Sequence, residues 1–349
     1  MKKNIVLLLA IILTVSLLGG CTKKNENPTA KDTNATKTET ETENTKKDLI
    51  ELNVAYMPNY ASLSAVVAGI KTGAFEEQGF KINLVEFADG PTIIAAMESG
   101  SIDFGYIGQG AHKLAIQGKA TIFCFDHYEN AGAIIGNKSK GVTSMADLKG
   151  KTIAMVSGTS SEFQIDLTLE KAGLTRDDVK LMDMDASAIV TAMISGGVDA
   201  ASTWSPNTSA IMAELGDDAV VISNNATFID TSPFIASWIV MPDYANKNTE
   251  NVLAFTKALY KAMDYRAEHI DEVVAWVAET AALDLEAMKG QKEDGIWNTK
   301  DEIVEQINAG DLQSTYEIQQ NNFIDSGAVT EQVPIDNYVL FQNMLDAAK

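Results

Sequence analysis

Arginine is nearly absent from this 349-residue chain, which carries only Arg176 and Arg266. Basic residues are scarce overall: 27 Lys+Arg stand against 48 Asp+Glu, for a formal net charge of -21. That balance excludes nucleic acid as a partner, because phosphate backbones are bound by surfaces of the opposite sign. Any anion held by this chain must rely mainly on backbone amides, hydroxyls or lysines, since the bidentate guanidinium fork is scarce. Cysteine is as rare, with Cys21 and Cys124 alone, and the only histidines are His112, His127 and His269. No metal-spaced His/Cys cluster, phosphate-loop lysine motif or nucleophile elbow is present. Cys124 sits in the apolar run 121–125, and His127, three residues on, falls on the other strand face. It therefore reads as a small buried residue rather than a nucleophile. With no nucleophile–base pair and no ligand set, the chain reads as a non-enzyme without metal or cofactor.

What is present begins with a secretion signal at residues 1–20. Lys2 and Lys3 precede an apolar run, 5–18, that is short for a membrane span. Leu18-Gly19-Gly20-Cys21 resembles a bacterial lipobox, which makes Cys21 the lipid-modified N-terminus after cleavage. Residues 21–47 are Thr, Lys, Glu and Asn with almost nothing apolar, so they read as a disordered tether. The expectation is a soluble, monomeric body that meets the cell membrane through its lipid only. It would stand on the extracytoplasmic face, as on a Gram-positive cell surface.

From residue 50 onward strands and helices alternate. Strand-like runs at 52–56, 81–87, 102–107 and 121–125 are separated by helical patterns, the first with Leu63, Val66, Val67 and Ile70 on one face. Asp89-Gly90-Pro91 opens a short helix that ends at Ser99-Gly100. The order recurs with strands at 151–156, 179–184 and 198–204. Ile93, Ala96, Met97, Ser99, Gly100 and Asp103 correspond to Ile189, Ala192, Met193, Ser195, Gly196 and Asp199 at a constant offset of 96 residues. This spacing predicts two similar α/β lobes built on parallel sheets. From about 248 the chain is mostly helical, with Val252, Phe255, Leu259 and Met263 on one stripe and a closing helix over 334–348.

The stretch Val156-Ser157-Gly158-Thr159-Ser160-Ser161-Glu162-Phe163 carries the most chemistry. An apolar strand stops at a turn of small residues, and Thr159 with Glu162 has capping-box spacing at the start of a helix over 161–172. Free amides and the helix dipole at such a turn suit an anion or a strongly polar oxygen group. In open parallel sheets, ligands sit beyond the carboxyl ends of the strands. Two such edges facing each other would form a cleft that closes by hinge motion. Glu129, or Asp230 on the return crossing, could then pair with an amine on the ligand.

Several runs carry a family likeness: 69–79 (a helix ending in Gly-x-Phe-x-x-x-Gly), 97–105, Met145-Ala146-Asp147-Leu148-Lys149-Gly150-Lys151-Thr152-Ile153-Ala154, Gly158-Thr159-Ser160-Ser161, and Gly197-Val198-Asp199-Ala200 with Trp204-Ser205-Pro206. In their order and spacing the chain, from 50 to 349, resembles the solute-binding lipoproteins of ABC importers. The branch is the one for alkanesulfonates, taurine, nitrate and thiamine-precursor pyrimidines. The resemblance implies a two-lobed type II periplasmic-binding-protein fold with a hinge cleft, lobe 1 at 48–130 plus 237–349 and lobe 2 at 131–236. It implies an oxyanion site at Gly158, Thr159, Ser160 and Ser161, faced by Tyr60, Ser62 and Gln109, with Trp204 walling the cleft. The family usually has proline two residues past the glycine of Gly108-Gln109, where this chain has Gly110 and Ala111. The implied partners are a small polar or anionic solute and an ABC permease with its ATPase. A small sulfonate is the first reading of the solute, and a pyrimidine stacked among Tyr56, Tyr60, Tyr128 and Trp204 is the alternative. Nitrate, bicarbonate and an enzyme on the same frame rank below these.

Overall fold

The computed structural model describes residues 49–349. The expected signal, the lipidated Cys21 and the tether lie outside the described residues. The strands are β1 (Ile50–Tyr56), β2 (Phe80–Glu86), β3 (Phe104–Ile107), β4 (Thr121–Glu129), β5 (Gly132–Asn137), β6 (Thr152–Met155), β7 (Lys180–Asp183), β8 (Ala200–Trp204), β9 (Ala219–Asn224), β10 (Ile235–Val240) and the two-residue β11 (Gly295–Ile296). They form two sheets, ordered β11-β4-β10-β3-β1-β2 and β7-β6-β8-β5-β9.

Each sheet holds a parallel triple, β2-β1-β3 in the first and β7-β6-β8 in the second. The wholly parallel sheets expected from the alternation are not observed. β10 runs antiparallel to β3 and β4, and β5 antiparallel to β8 and β9. β5 enters the second sheet straight from β4 of the first, through Asn130 and Ala131 alone, and not by a helical crossover from a strand it pairs with. β4 also runs four residues past the expected strand end at 125.

The repeat at offset 96 marks one structural device used twice. After each short helix, Gly100 (φ 78) and Gly196 (φ 71) turn the chain back in the left-handed region that favours glycine. Asp103 then accepts from the Asn53 amide at 2.8 Å, and Asp199 from the Thr152 amide at 2.9 Å. A second pair works alike: the Ser62 hydroxyl accepts from the Met57 amide at 2.9 Å and that of Ser161 from the Val156 amide at 3.1 Å. The serine bonds fix each helix start against the strand before it, and the aspartate bonds tie the entry of β3 to β1 and of β8 to β6.

The larger core lies around the first sheet, and two smaller clusters flank the second. The stripe read from sequence is buried: the Thr249–Glu268 helix inserts Val252, Phe255, Leu259 and Met263, and Phe255 stacks on Phe104 at 4.1 Å between ring centres. Full burial of each such side chain contributes about 1.5–3 kcal/mol. The closing helix is shorter than expected, spanning Phe341–Ala347. Beneath the first sheet lies a buried ion pair. Asp126 Oδ1 accepts from Arg266 Nη1 at 2.7 Å, and Asp126 Oδ2 accepts from the Trp238 indole at 2.6 Å.

Candidate functional site

The turn after β6 is built by local chemistry. Gly158 has φ +79, and Thr159 caps the Ser160–Lys171 helix, its hydroxyl accepting from the Ser161 amide at 3.2 Å and donating to the Val156 carbonyl at 2.8 Å. The Glu162 carboxylate accepts from the Gly158 amide at 2.8 Å. That is one residue further back than a capping box requires.

The turn that follows β3 meets this one face to face. A Cβ on Gly108 would lie 2.5 Å from Glu129 Oε1 and 3.1 Å from Ser160 Oγ, and one on Gly110 would lie 2.0 Å from the Thr159 carbonyl carbon. Around this contact Lys113 pairs with Glu162 at 3.2 Å. Phe163 packs against Phe234 and Phe323 with ring centres 5.3 and 5.1 Å apart. The two edges are therefore closed on each other.

Between them lies a cavity of about 50 Å³, lined by Tyr106, Glu129, Ser160, Gln164, Trp204 and Asn225 among others. About 10–15 Å³ suffices for one water, so the closed space suits a compact molecule. Its dominant polar group is Glu129. Burial pushes this carboxyl up to about 8, against the opposing pull of the Gln109 amide and the Ser160 hydroxyl, which donates to it at 3.3 Å. Among the described residues no lysine or arginine lines the cavity.

The residues named from sequence divide into two groups. Glu129, Thr159, Ser160, Ser161 and Trp204 line the cavity; Tyr60, Ser62, Gln109, Gly158 and Asp230 do not. Tyr60 is buried edge-on to Trp297, and Ser62 is spent on the Met57 amide. Gln109 turns into the core, where its Oε1 accepts from the Ile235 amide at 3.1 Å and from Gln319 at 2.7 Å. Gly158 faces Pro91, and Asp230 is exposed. Tyr56 and Tyr128 also stay outside the lining, which leaves Trp204 and Tyr106 as its large aromatics. Sequence reasoning missed Tyr106, Gln164 and Asn225. Only Gln164 left a trace, as a polar residue four positions before Thr168 on a helix that is otherwise buried there.

The raised carboxyl predicts a pH effect. Glu129 has a folded value above its ordinary 4.5, so the stability it permits is complete below that value and is lost as pH rises through about 8. Glu129→Gln without ligand is expected to melt higher than wild type at pH 8–9, with the two converging near pH 5. Melting curves across that range that do not diverge would contradict the assignment.

Two α/β lobes closed over a small cavity define a ligand-binding architecture. The NMT1/THI5-like family model matches residues 61–273, and the chain belongs to that family. A putative binding protein of Brucella abortus is 29% identical over 293 residues, covering 84% of this chain and 91% of that one. A putative aliphatic sulfonates-binding protein of Bacillus subtilis is 26% identical over 291 residues, covering 81% and 80%. The crystal structure of the periplasmic aliphatic sulphonate binding protein from Escherichia coli shares the fold, with a TM-score of 0.65 at 21% identity, over 82% of this chain and 91% of that one.

Proposed function

We propose that this protein is the extracytoplasmic solute-binding component of an ABC importer, without catalytic activity of its own. It closes two lobes on a small sulfonate and delivers it to a permease and its ATPase. In this reading lobe 1 is 48–130 plus 237–349 and lobe 2 is 131–236, hinged at Asn130-Ala131 and on the return stretch before β10. Cys21 carries the lipid that holds the body at the membrane. The observation that carries the reading is the meeting of the Thr159–Ser161 helix tip with the Gly108 turn, from different sheets, around one closed cavity. The sulfonate-binding relative supports the choice of solute.

A second reading, a thiamine-precursor pyrimidine, is favoured by one observation: Trp204 and Tyr106 line the cavity while no lysine or arginine does. A thermal-shift panel separates the two. At a hundredfold excess over Kd, a true ligand is expected to raise the melting temperature by roughly 5 °C. Taurine and alkanesulfonates should do so under the first reading, and aminopyrimidines under the second. A panel in which neither class shifts the protein removes both, and turnover of a sulfonate would establish an enzyme instead.

A further inference from the structure

A surface groove that shares Thr159 with the cavity is lined by Gly110, Lys113, Glu162 and Arg176 among others. Lys113 comes from the His112–Ile116 helix after β3, and Glu162 from the Ser160–Lys171 helix after β6. They meet there at 3.2 Å, with side chains 21% and 14% exposed. Among the described residues this is the one salt bridge that joins the two lobes; every other pairs residues within one lobe. Lys113 itself does not line the cavity.

Glu162 is held from several sides. Its Oε1 accepts from Arg176 Nη1 at 3.0 Å, and its Oε2 accepts from the Gly158 amide at 2.8 Å as well as from Lys113 Nζ. Burial works against the charged carboxylate, but the Gly158 amide, Lys113 and Arg176 prevail and hold it below its ordinary 4.5. Arg176 in turn grips Asp166 through Nε and Nη2, each at 2.7 Å. The two partners fare differently when the lobes part. Glu162 keeps Arg176 and the Gly158 amide, which belong to its own lobe, whereas Lys113 has no second carboxylate in salt-bridge reach among the described residues. Opening therefore breaks the pair and leaves the turn at Gly158 built.

We propose that Lys113 is a positioning residue for solute binding: it touches no solute, and it latches the closed cleft through Glu162, which carries the pull to the Gly158–Ser161 turn. The proposal rests on the reading of two lobes that close on a solute, and it adds what holds them closed. Because the pair forms on closure, it raises the affinity of each solute by a similar factor and acts on release rather than on entry. An ion pair with this much access to solvent is worth up to about fivefold in such an equilibrium, and salt screens it.

The test is calorimetry and stopped-flow fluorescence on the full protein with taurine, ethanesulfonate and 4-aminopyrimidine as probes. Lys113→Met is expected to weaken each probe that binds by about three- to fivefold, through faster dissociation at an unchanged association rate. The affinity ratio of wild type to variant should fall towards one as salt rises from about 0.05 to 1 M, which a merely structural side chain would not produce. Lys113→Arg should keep most of the affinity, and Lys113→Gln should repeat the loss if Lys113→Met folds poorly. Lys71→Met is the control, because it removes a salt bridge to Glu279 within lobe 1 and should leave binding unchanged. Wild-type affinity in both neutral variants, a loss confined to the association rate, or a ratio indifferent to salt would overturn the latch while leaving a solute-binding protein. Silence from all three probes on wild type would overturn the solute-site reading and the latch with it.

Discussion

Gly110→Ala is expected to hold the cleft open and to cost tenfold to hundredfold in affinity for whatever ligand the panel identifies. Its Cβ would stand 2.0 Å from the Thr159 carbonyl carbon and 2.5 Å from the Ser160 nitrogen, both backbone atoms of the opposing edge. Backbone cannot rotate away as a side-chain tip can, so relief must come from separating the two edges. Steric insertion of this kind typically costs about 1–3 kcal/mol. The penalty falls only on the closed state, so it appears as a smaller binding-competent fraction and a proportionally weaker apparent Kd. Neither sheet core is touched, so circular dichroism should match wild type. Gly290→Ala is the control, because a Cβ there meets nothing within 4 Å. Calorimetry with small-angle scattering would check the result: a liganded Gly110→Ala as compact and as tightly bound as wild type would show that closure does not need this approach.

The second large effect concerns stability. Asp126→Ala is expected to destabilise the fold by about 3–5 kcal/mol, because it leaves Arg266 charged and buried. Both partners are fully buried, and the same carboxylate also accepts from the Trp238 indole. Among the described residues Asp126 is the one carboxylate that pairs with Arg266, whose Nε and Nη2 have no hydrogen-bond partner. Burial works against the charged form of Asp126, but Arg266 and His127 beside it prevail and hold the carboxyl down to about 2, below its ordinary 3.8. The sign follows: this stabilisation is present above pH 3.8 and is lost as pH falls through about 2. Urea titration at pH 7 would measure the loss, and the gap between mutant and wild type should shrink towards pH 2. If Arg266→Met rescues part of the Asp126→Ala loss, the damage is the orphaned charge. If it adds to the loss in full, the pair is not coupled as the distances imply.

Much of this molecule was legible in its sequence where the governing physics is local. The capped helix start at Thr159, the glycine turns at Gly100 and Gly196 and the buried stripe of the 249–268 helix depend on neighbours within a few residues. Gln109 shows where that legibility stops. In sequence it lies at the tip of a cleft turn, yet its side chain is held by Ile235 and Gln319, 126 and 210 residues away. Asp230 lies on the return crossing in sequence, where it is expected to meet a ligand amine, and is exposed in space.

The sequence by itself determined that there would be two α/β units related by a 96-residue repeat, with small-residue turns at their strand ends. Periodicity, caps and glycine conformations are encoded within single elements. Only the tertiary structure decided that β5 and β10 enter antiparallel, that Gly110 presses on Thr159, and that Gln164, Tyr106 and Glu129 share one cavity. The reason is that a side chain's partners, and with them its direction and its charge state, are set by which distant surfaces pack against it.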